Sequence, residues 1–276
     1  MPPTPSFTKK NRWWKTCCRI RLPIEEYTGP QAQYYDQYFT GIDGDLDFYL
    51  LAAGQAGSPI LELGCGSGRI LIPIAETGKA VVGIERSAQM LRQLRLRLAG
   101  LRQHRSGKAN AIRGDMRDFR LREQFALVIV PYRAFQHLLT DADQRRCLQR
   151  IREHLRPGGA LVFDTFDCEF LDEQPEPALD TSFSAGGGLT VGVRYTRHID
   201  TDAGILRQQL IFDERDENGR LLRSRTTALL LRCCSRVHME GMLRASGFEV
   251  AALYGGFRGE PVAEGGVQVW VAVEGK

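Results

Sequence analysis

Gly64, Gly66 and Gly68 stand at every second position of ILELGCGSGR (residues 60–69), behind an apolar run suited to a buried strand. A strand, a glycine-rich turn and a helix form a general cradle for nucleotides. Glycine lets the backbone approach the ligand closely, and the first helical turn presents N–H groups that have no intrahelical partner. Here the spacing is G-x-G-x-G, followed at once by Arg69, with Glu62 two residues ahead of the first glycine. Dinucleotide-binding chains carry G-x-G-x-x-G. The loop alone therefore leaves a dinucleotide and an adenosine-type ligand both open.

Two further stretches narrow the choice. VVGIERSAQML puts Glu85 at the carboxyl end of the next strand, where a carboxylate can accept hydrogen bonds from both ribose hydroxyls. GDMRDF puts Asp115 and Met116 after the third strand, where a carboxylate can meet an adenine amino group and an apolar side chain can cover the ring. Acids at successive strand ends face the crevice in which open α/β sheets bind ligands.

The elements that must position these residues follow from periodicity. AQYYDQYFT and DLDFYLLAAG read as helices, SPILELG as a strand and SGRILIPIAETG as a helix. KAVVGIE is a second strand, and SAQMLRQLRLRLAGL a helix with Ser87 as N-cap. ANAIRGDM and FALVIVP are strands, the latter apolar enough to be buried on both faces. DADQRRCLQRIREHLRPGG reads as an amphipathic helix with Asp141 available as cap and Gly158–Gly159 as its stop, and GALVFDTF as a further strand. Such alternation predicts a doubly wound, largely parallel sheet. The pattern then changes to three long alternating runs, LTVGVRYTRHID, ILRQQLIFDER and LLRSRTTALLLRC, with Asn218-Gly219 as a hairpin turn. These predict a small antiparallel sheet inserted before a last helix, SRVHMEGMLRASG, and a closing hairpin of FEVAALYG and VQVWVAV.

Composition sets outer limits. The 276 residues are 43% hydrophobic and 25% charged, as in globular chains. No apolar run approaches the ~18 residues a membrane helix needs. The net charge of +4 is mostly arginine spread along the chain, without the basic stripe expected of a nucleic-acid binder. The seven cysteines show no zinc spacing. Their odd count, with no secretory signal, favours a reducing, cytoplasmic setting. Residues 1–29 read as a separate basic arm, carrying Lys9, Lys10, Arg12, Lys15, Arg19 and Arg21 and the pair Trp13–Trp14. It reads first as a flexible tail or an arm lying on the domain, against a membrane or nucleic-acid anchor, and it is the one feature that would suit a macromolecular substrate such as protein or RNA.

ILELGCGSGR, VVGIERSAQML, GDMRDF and FALVIVPYRAFQHL together resemble the class I S-adenosylmethionine-dependent methyltransferases. The resemblance covers roughly residues 30–170, and the last helix and hairpin match the end of that fold. It implies a Rossmann-like seven-stranded sheet with one antiparallel strand, built from residues 30–170 and 233–276, and an inserted antiparallel β lid over 171–232. It also implies that Gly64, Cys65, Gly66 and Gly68 lie under the methionine part of S-adenosyl-L-methionine. Glu62 and Arg69 stand beside them, Glu85 on the ribose, and Asp115–Met116 at the adenine, with Arg86, Met90 and Val130 also on the cofactor side. Glu85 replaces the aspartate commoner in this motif and keeps the carboxylate.

The Tyr35–Asp36 pair, GDMRDF, the aromatic-to-His stretch and the inserted sheet look like those of sugar N,N-dimethyltransferases and the glycine N-methyltransferase group. That likeness implies a small-molecule acceptor, most simply an amine nitrogen, with oxygen or carbon as alternatives. Transfer from a sulfonium is a direct in-line displacement, which requires neither metal nor covalent nucleophile. PYRAFQHLLT lies where the fourth strand ends beside the expected methyl group. His137 is the candidate base or acceptor-orienting group, with Tyr132, Arg133 and Phe135 lining the acceptor side. Tyr35 is placed to close the methyl pocket or cap the cofactor's carboxylate. Asp164 and Asp167 could bind a cationic acceptor or cap a turn. A proline-aromatic pair at Pro131-Tyr132 lacks the preceding Asp/Asn-Pro element of enzymes that methylate DNA amino groups, which argues against a DNA base. Two other classes remain open: a nicotinamide oxidoreductase, opposed by the glycine spacing and Asp115, and a binding module that keeps the cofactor pocket without an acceptor site. The long inserted strands also offer an edge on which a second copy could pair as a homodimer.

Overall fold

The computed structural model describes residues 27–101, 109–263 and 265–275. Most of the basic arm, including Trp13–Trp14, lies outside them. Two short helices, α1 (Gly29–Gln33) and α2 (Tyr35–Tyr38), precede α3 (Asp45–Gln55). The single helix expected across AQYYDQYFT is thus broken at Tyr34, which leaves helical geometry at φ −107° and ψ 19°. Its ring is drawn instead against Phe183 and Phe212 of the inserted sheet.

The core alternates β1 (Ile60–Leu63), α4 (Leu71–Glu76), β2 (Val81–Glu85), α5 (Ala88–Leu101), β3 (Ala109–Arg113), β4 (Phe125–Val130), α6 (Asp141–His154) and β5 (Leu155–Phe166). After the insertion come α7 (Arg236–Ala245), β10 (Phe248–Tyr254) and β11 (Val267–Glu274). The seven-stranded sheet runs β10-β11-β5-β4-β1-β2-β3, with β11 antiparallel to both neighbours. This matches the expected doubly wound architecture. All of β1 is buried, as is β4 apart from Ala126, which is why ILEL and FALVIV are apolar without alternation. Helices α6 and α7 cover one face through Leu148, Ile151, Met239 and Leu243, while α3 and α4 cover the other through Tyr49, Leu71 and Ile74. Strand order reverses between β1 and β4, so the crevice opens at the ends of those two strands.

Ser87 caps α5 as expected, its Oγ accepting from Met90 N–H at 3.2 Å. For α6 the cap is Thr140, whose hydroxyl accepts from Asp143 N–H; Asp141 is the first helical residue. That helix stops at His154, ahead of Gly158–Gly159, which belong to β5. The inserted sheet has four strands where three were expected: β6 (Gln174–Gly186), β7 (Leu189–Asp200), β8 (Ile205–Arg215) and β9 (Leu221–Arg232), ordered β6-β7-β8-β9 and antiparallel. Strand β6 escapes the sequence pattern because it is an edge strand, largely exposed, with Pro175 and Pro177 where its register slips. Cys168, just beyond β5, and Cys233, just beyond β9, form a disulfide with a Cα–Cα separation of 5.1 Å. The odd cysteine count gave no reason to expect this pairing. Among the described residues no helix is long and apolar enough to cross a membrane.

Candidate active site

The chain turns out of β1 through Gly64, Gly66 and Gly68, all at positive φ. At Gly68 the reason is also steric, since a Cβ would run into Leu94 Cδ1. The Gly66 backbone lies between two covering side chains: a Cβ there would stand 3.4 Å from Met90 Cε and 3.9 Å from the Tyr35 hydroxyl. Glu85 joins this loop to the next one, its two carboxylate oxygens accepting from Gly66 N–H (2.9 Å) and Ser87 N–H (2.6 Å). The Tyr35–Asp36 pair divides its work. Asp36 accepts from Ser67 Oγ at 2.5 Å and from Arg97 at 3.2 Å, which holds α2 on the glycine loop while Tyr35 covers it.

Glu62 lies mid-strand in β1 and is 2% exposed. Burial raises its pKa to about 8, against a smaller opposing pull from the Arg69 guanidinium, and Glu85 adds to the rise. Its Oε2 has no hydrogen-bond partner among the described residues. Arg69 is clamped bidentate by the buried Asp45 at 2.8 and 2.6 Å and stacks 5.1 Å over Tyr132. This engagement qualifies the expectation that Arg69 receives a cofactor carboxylate, because Asp45 already occupies two of its nitrogens. Breaking the clamp leaves a mostly buried guanidinium uncompensated. Asp45→Asn is accordingly expected to lower stability by about 3 kcal/mol, read as a fall in the urea midpoint. An unchanged midpoint would show that solvent replaces the pair.

Beyond β3, Asp115 accepts from Arg117 N, Nε and Nη2, the last at 2.6 Å, and lies 3.9 Å from Arg86. These cations hold its carboxyl below the usual range, although burial opposes them. Asp115 is therefore ionised and oriented by its own loop. Met116 reaches toward Gly64, where a Cβ would lie 3.6 Å from Met116 Cε.

The far wall is the turn after β4. Tyr132 and Arg133 both adopt left-handed φ, 57° and 61°, a conformation side chains seldom take. Asp164 holds them there, accepting from Tyr132 N–H (2.7 Å), Arg133 N–H (2.9 Å) and the Tyr49 hydroxyl (2.6 Å). Its oxygens are spent on this turn, so it does not serve as a cation receptor for the acceptor. The turn continues into a 3-10 helix, Ala134–His137. The His137 ring meets the Tyr27 hydroxyl at Nε2 (3.3 Å) and makes a backbone hydrogen bond with Leu230 of β9. Burial lowers its pKa to about 4, leaving a neutral imidazole at pH 7.

One cavity is lined by Tyr35, Glu62, Gly64, Cys65, Gly66, Arg69, Glu85, Arg86, Met90, Asp115, Met116, Tyr132 and His137. Four expected residues lie off it. Gly68 faces the side chains of Leu94 and Ile72. Val130 is fully buried in the sheet. Phe135 turns inward onto Phe163, with ring centroids 5.2 Å apart. Arg133 lies over the Phe166 ring at 4.4 Å. Val130 is taken up by the core packing of the sheet, and Phe135 and Arg133 are held by the rings they meet. Tyr27, missed by the sequence reading, lines the cavity and packs edge-on against Tyr35, Phe39 and His137. It precedes the first periodic helix, so no local pattern marks it.

A methyltransferase domain model matches residues 60–159. An uncharacterised methyltransferase of Bacillus subtilis is 30% identical over 168 residues, which are 60% of this chain and 73% of that protein. The dTDP-3-amino-3,4,6-trideoxy-alpha-D-glucopyranose N,N-dimethyltransferase of Streptomyces venezuelae is 26% identical over 239 residues, 83% of this chain and 94% of its own. A solved amino pentose methyltransferase from Micromonospora echinaspora, bound to S-adenosylmethionine and involved in calicheamicin biosynthesis, superposes with a TM-score of 0.64 at 25% identity, covering 89% of this chain and 98% of that one. The alignments with the first curated relatives span 65%, 55% and 66% of their lengths.

Proposed function

The chain belongs to the class I S-adenosylmethionine-dependent methyltransferases, and from that premise we propose that it methylates the nitrogen of a small-molecule amine. The observation that carries this reading is the buried His137, with its pKa near 4, on the cavity wall. A hydroxyl acceptor must lose its proton as the new bond forms, which calls for a base with a pKa near the working pH. His137 is too weak a base for that, and Glu62, whose pKa does lie in range, is assigned to the cofactor's ammonium. A neutral amine brings its own lone pair and sheds a proton only after positive charge has grown on nitrogen. His137 then holds the Tyr27 hydroxyl in place, while the oxygens and ring faces of Tyr27, Tyr35 and Tyr132 surround the developing cation. The Streptomyces and Micromonospora relatives, both named as methylating amino sugars, support nitrogen further.

The cavity's own chemistry suits the cofactor. The unpartnered Oε2 of Glu62 is a buried acceptor that a cationic ammonium would complement. Gly66 lines the cavity at positive φ, between Met90 and Tyr35. S-adenosylmethionine, when bound, supplies an electrophilic methyl group on a sulfonium. Gly64, Cys65 and Gly66 would hold its methionyl part, Glu85 its ribose, and Asp115 with Met116 its adenine. Residues 171–232 act as the lid over the acceptor, on a core of 30–170 and 233–276.

The test is incubation with methyl-labelled cofactor and a panel of small amines, amino sugars among them, each beside its hydroxyl analogue. The expected product carries label on nitrogen. Label on oxygen or carbon, or on polypeptide or RNA alone, overturns this reading.

A further inference from the structure

The inserted sheet joins the core at two chain crossings, one leaving β5 and one returning from β9. The Cys168–Cys233 disulfide joins the two crossings to each other, and one side chain ties both to the turn after β4. Gln136 is fully buried; its Nε2 donates to the Phe166 carbonyl at 2.9 Å and to the Arg232 carbonyl at 2.7 Å, and its Oε1 accepts Phe166 N–H at 3.0 Å. Both amide protons and the oxygen are thus directed to the last residue of β5 and the last residue of β9. Arg232 extends the join, donating to the Leu139 carbonyl at 3.0 Å and pairing with Asp141 at 2.7 Å.

The next residue along the turn is His137, whose ring meets the Leu230 backbone. Leu230 stands two positions ahead of Arg232 on the same strand. Successive turn residues therefore grip β9 at positions one strand period apart. Among the described residues the titratable group in contact with the His137 ring is Tyr27, through its hydroxyl.

We propose that Gln136 is a positioning residue: by pinning the ends of β5 and β9 to its own turn, it fixes His137 in a dry place on the acceptor wall. The functional weight of this rests on the reading of that wall given above, but the coupling between Gln136 and His137 is a property of the polypeptide and can be measured without an acceptor. Without the amide, Phe166 N–H and two carbonyls lose their partner in a buried place. The end of β9 then separates from the turn and water reaches the imidazole. Water removes the burial penalty on the imidazolium, so the signature is His137's own titration.

The experiment is an NMR titration of the full chain carrying labelled histidine, with His137 assigned by difference from a His137→Asn variant. Wild-type His137 should titrate near 4. In Gln136→Met, which keeps side-chain length without the amide, the midpoint should climb toward the ordinary 6.5 while S-adenosylhomocysteine still binds as in wild type. Gln136→Glu, which can still accept from Phe166 N–H, should fall between them. An unmoved midpoint in Gln136→Met overturns the proposal, as does a wild-type His137 that already titrates near 6.5. Loss of S-adenosylhomocysteine binding in both variants would assign Gln136 to general stability and overturn it too. A wrong acceptor atom would show only in the product analysis, so the two failures are distinguishable.

Discussion

Glu62→Gln is expected to stabilise the cofactor-free protein increasingly as pH rises from 5 to 9. The glutamate keeps its proton in the folded chain up to a pKa of about 8, against an ordinary value of 4.5. Below 4.5 folded and unfolded chains hold the same proton, so Glu62 makes no pH-dependent contribution there. Between 4.5 and about 8 the unfolded chain has released it while the folded chain has not. The unfolded state then binds fewer protons, and stability falls with pH at up to about 1.4 kcal/mol per unit. Across the window the loss reaches about 5 kcal/mol, complete once pH exceeds the folded pKa. Gln fills the same volume without titrating, so its urea midpoint should lack this slope. A wild-type profile as flat as the variant's removes the assignment.

The same residue predicts a linked event on binding. If Glu62 Oε2 receives the cofactor's ammonium, Glu62 must ionise, and at pH 7 binding of S-adenosylhomocysteine should release a proton. Calorimetric heats would then vary with the buffer's ionisation enthalpy in wild type and not in Glu62→Gln.

Glu85→Ala is expected to weaken S-adenosylhomocysteine binding by about two orders of magnitude, or ~3 kcal/mol. Two losses combine. On the proposed placement the ribose loses a charged acceptor, and Gly66 N–H and Ser87 N–H lose the carboxylate that joins their loops. Glu85→Gln separates them: its oxygen can serve one backbone N–H, but its NH2 then faces the other. An intermediate affinity is expected for it. Calorimetry on both variants decides, and an Ala variant that binds like wild type would put the ribose elsewhere.

The contrast between Glu85 and Phe135 shows how far the chain could be read. Glu85 closes an apolar run ahead of a capped helix, so its place at a strand end follows from local pattern. Phe135 sits in a turn whose direction is set by Asp164, 32 and 31 residues away from the amides it holds, and the ring goes inward. Strand β6 was hidden because an exposed edge strand has no apolar face to alternate. Tyr27 was hidden because its partner His137 is 110 residues distant.

By itself the sequence determines the alternating core, the glycine turn and the acids that follow each strand. Strand burial, helix periodicity and positive φ at glycine are set by sterics and hydrophobicity within a few residues. The tertiary structure alone decides which side chains face the cavity, that Asp45 takes Arg69, that Cys168 meets Cys233, and that Gln136 gathers two strand ends onto the turn of His137. Those pairings join residues from 24 to 96 positions apart. They exist only because the order of strands in the sheet brings distant chain ends to one crevice.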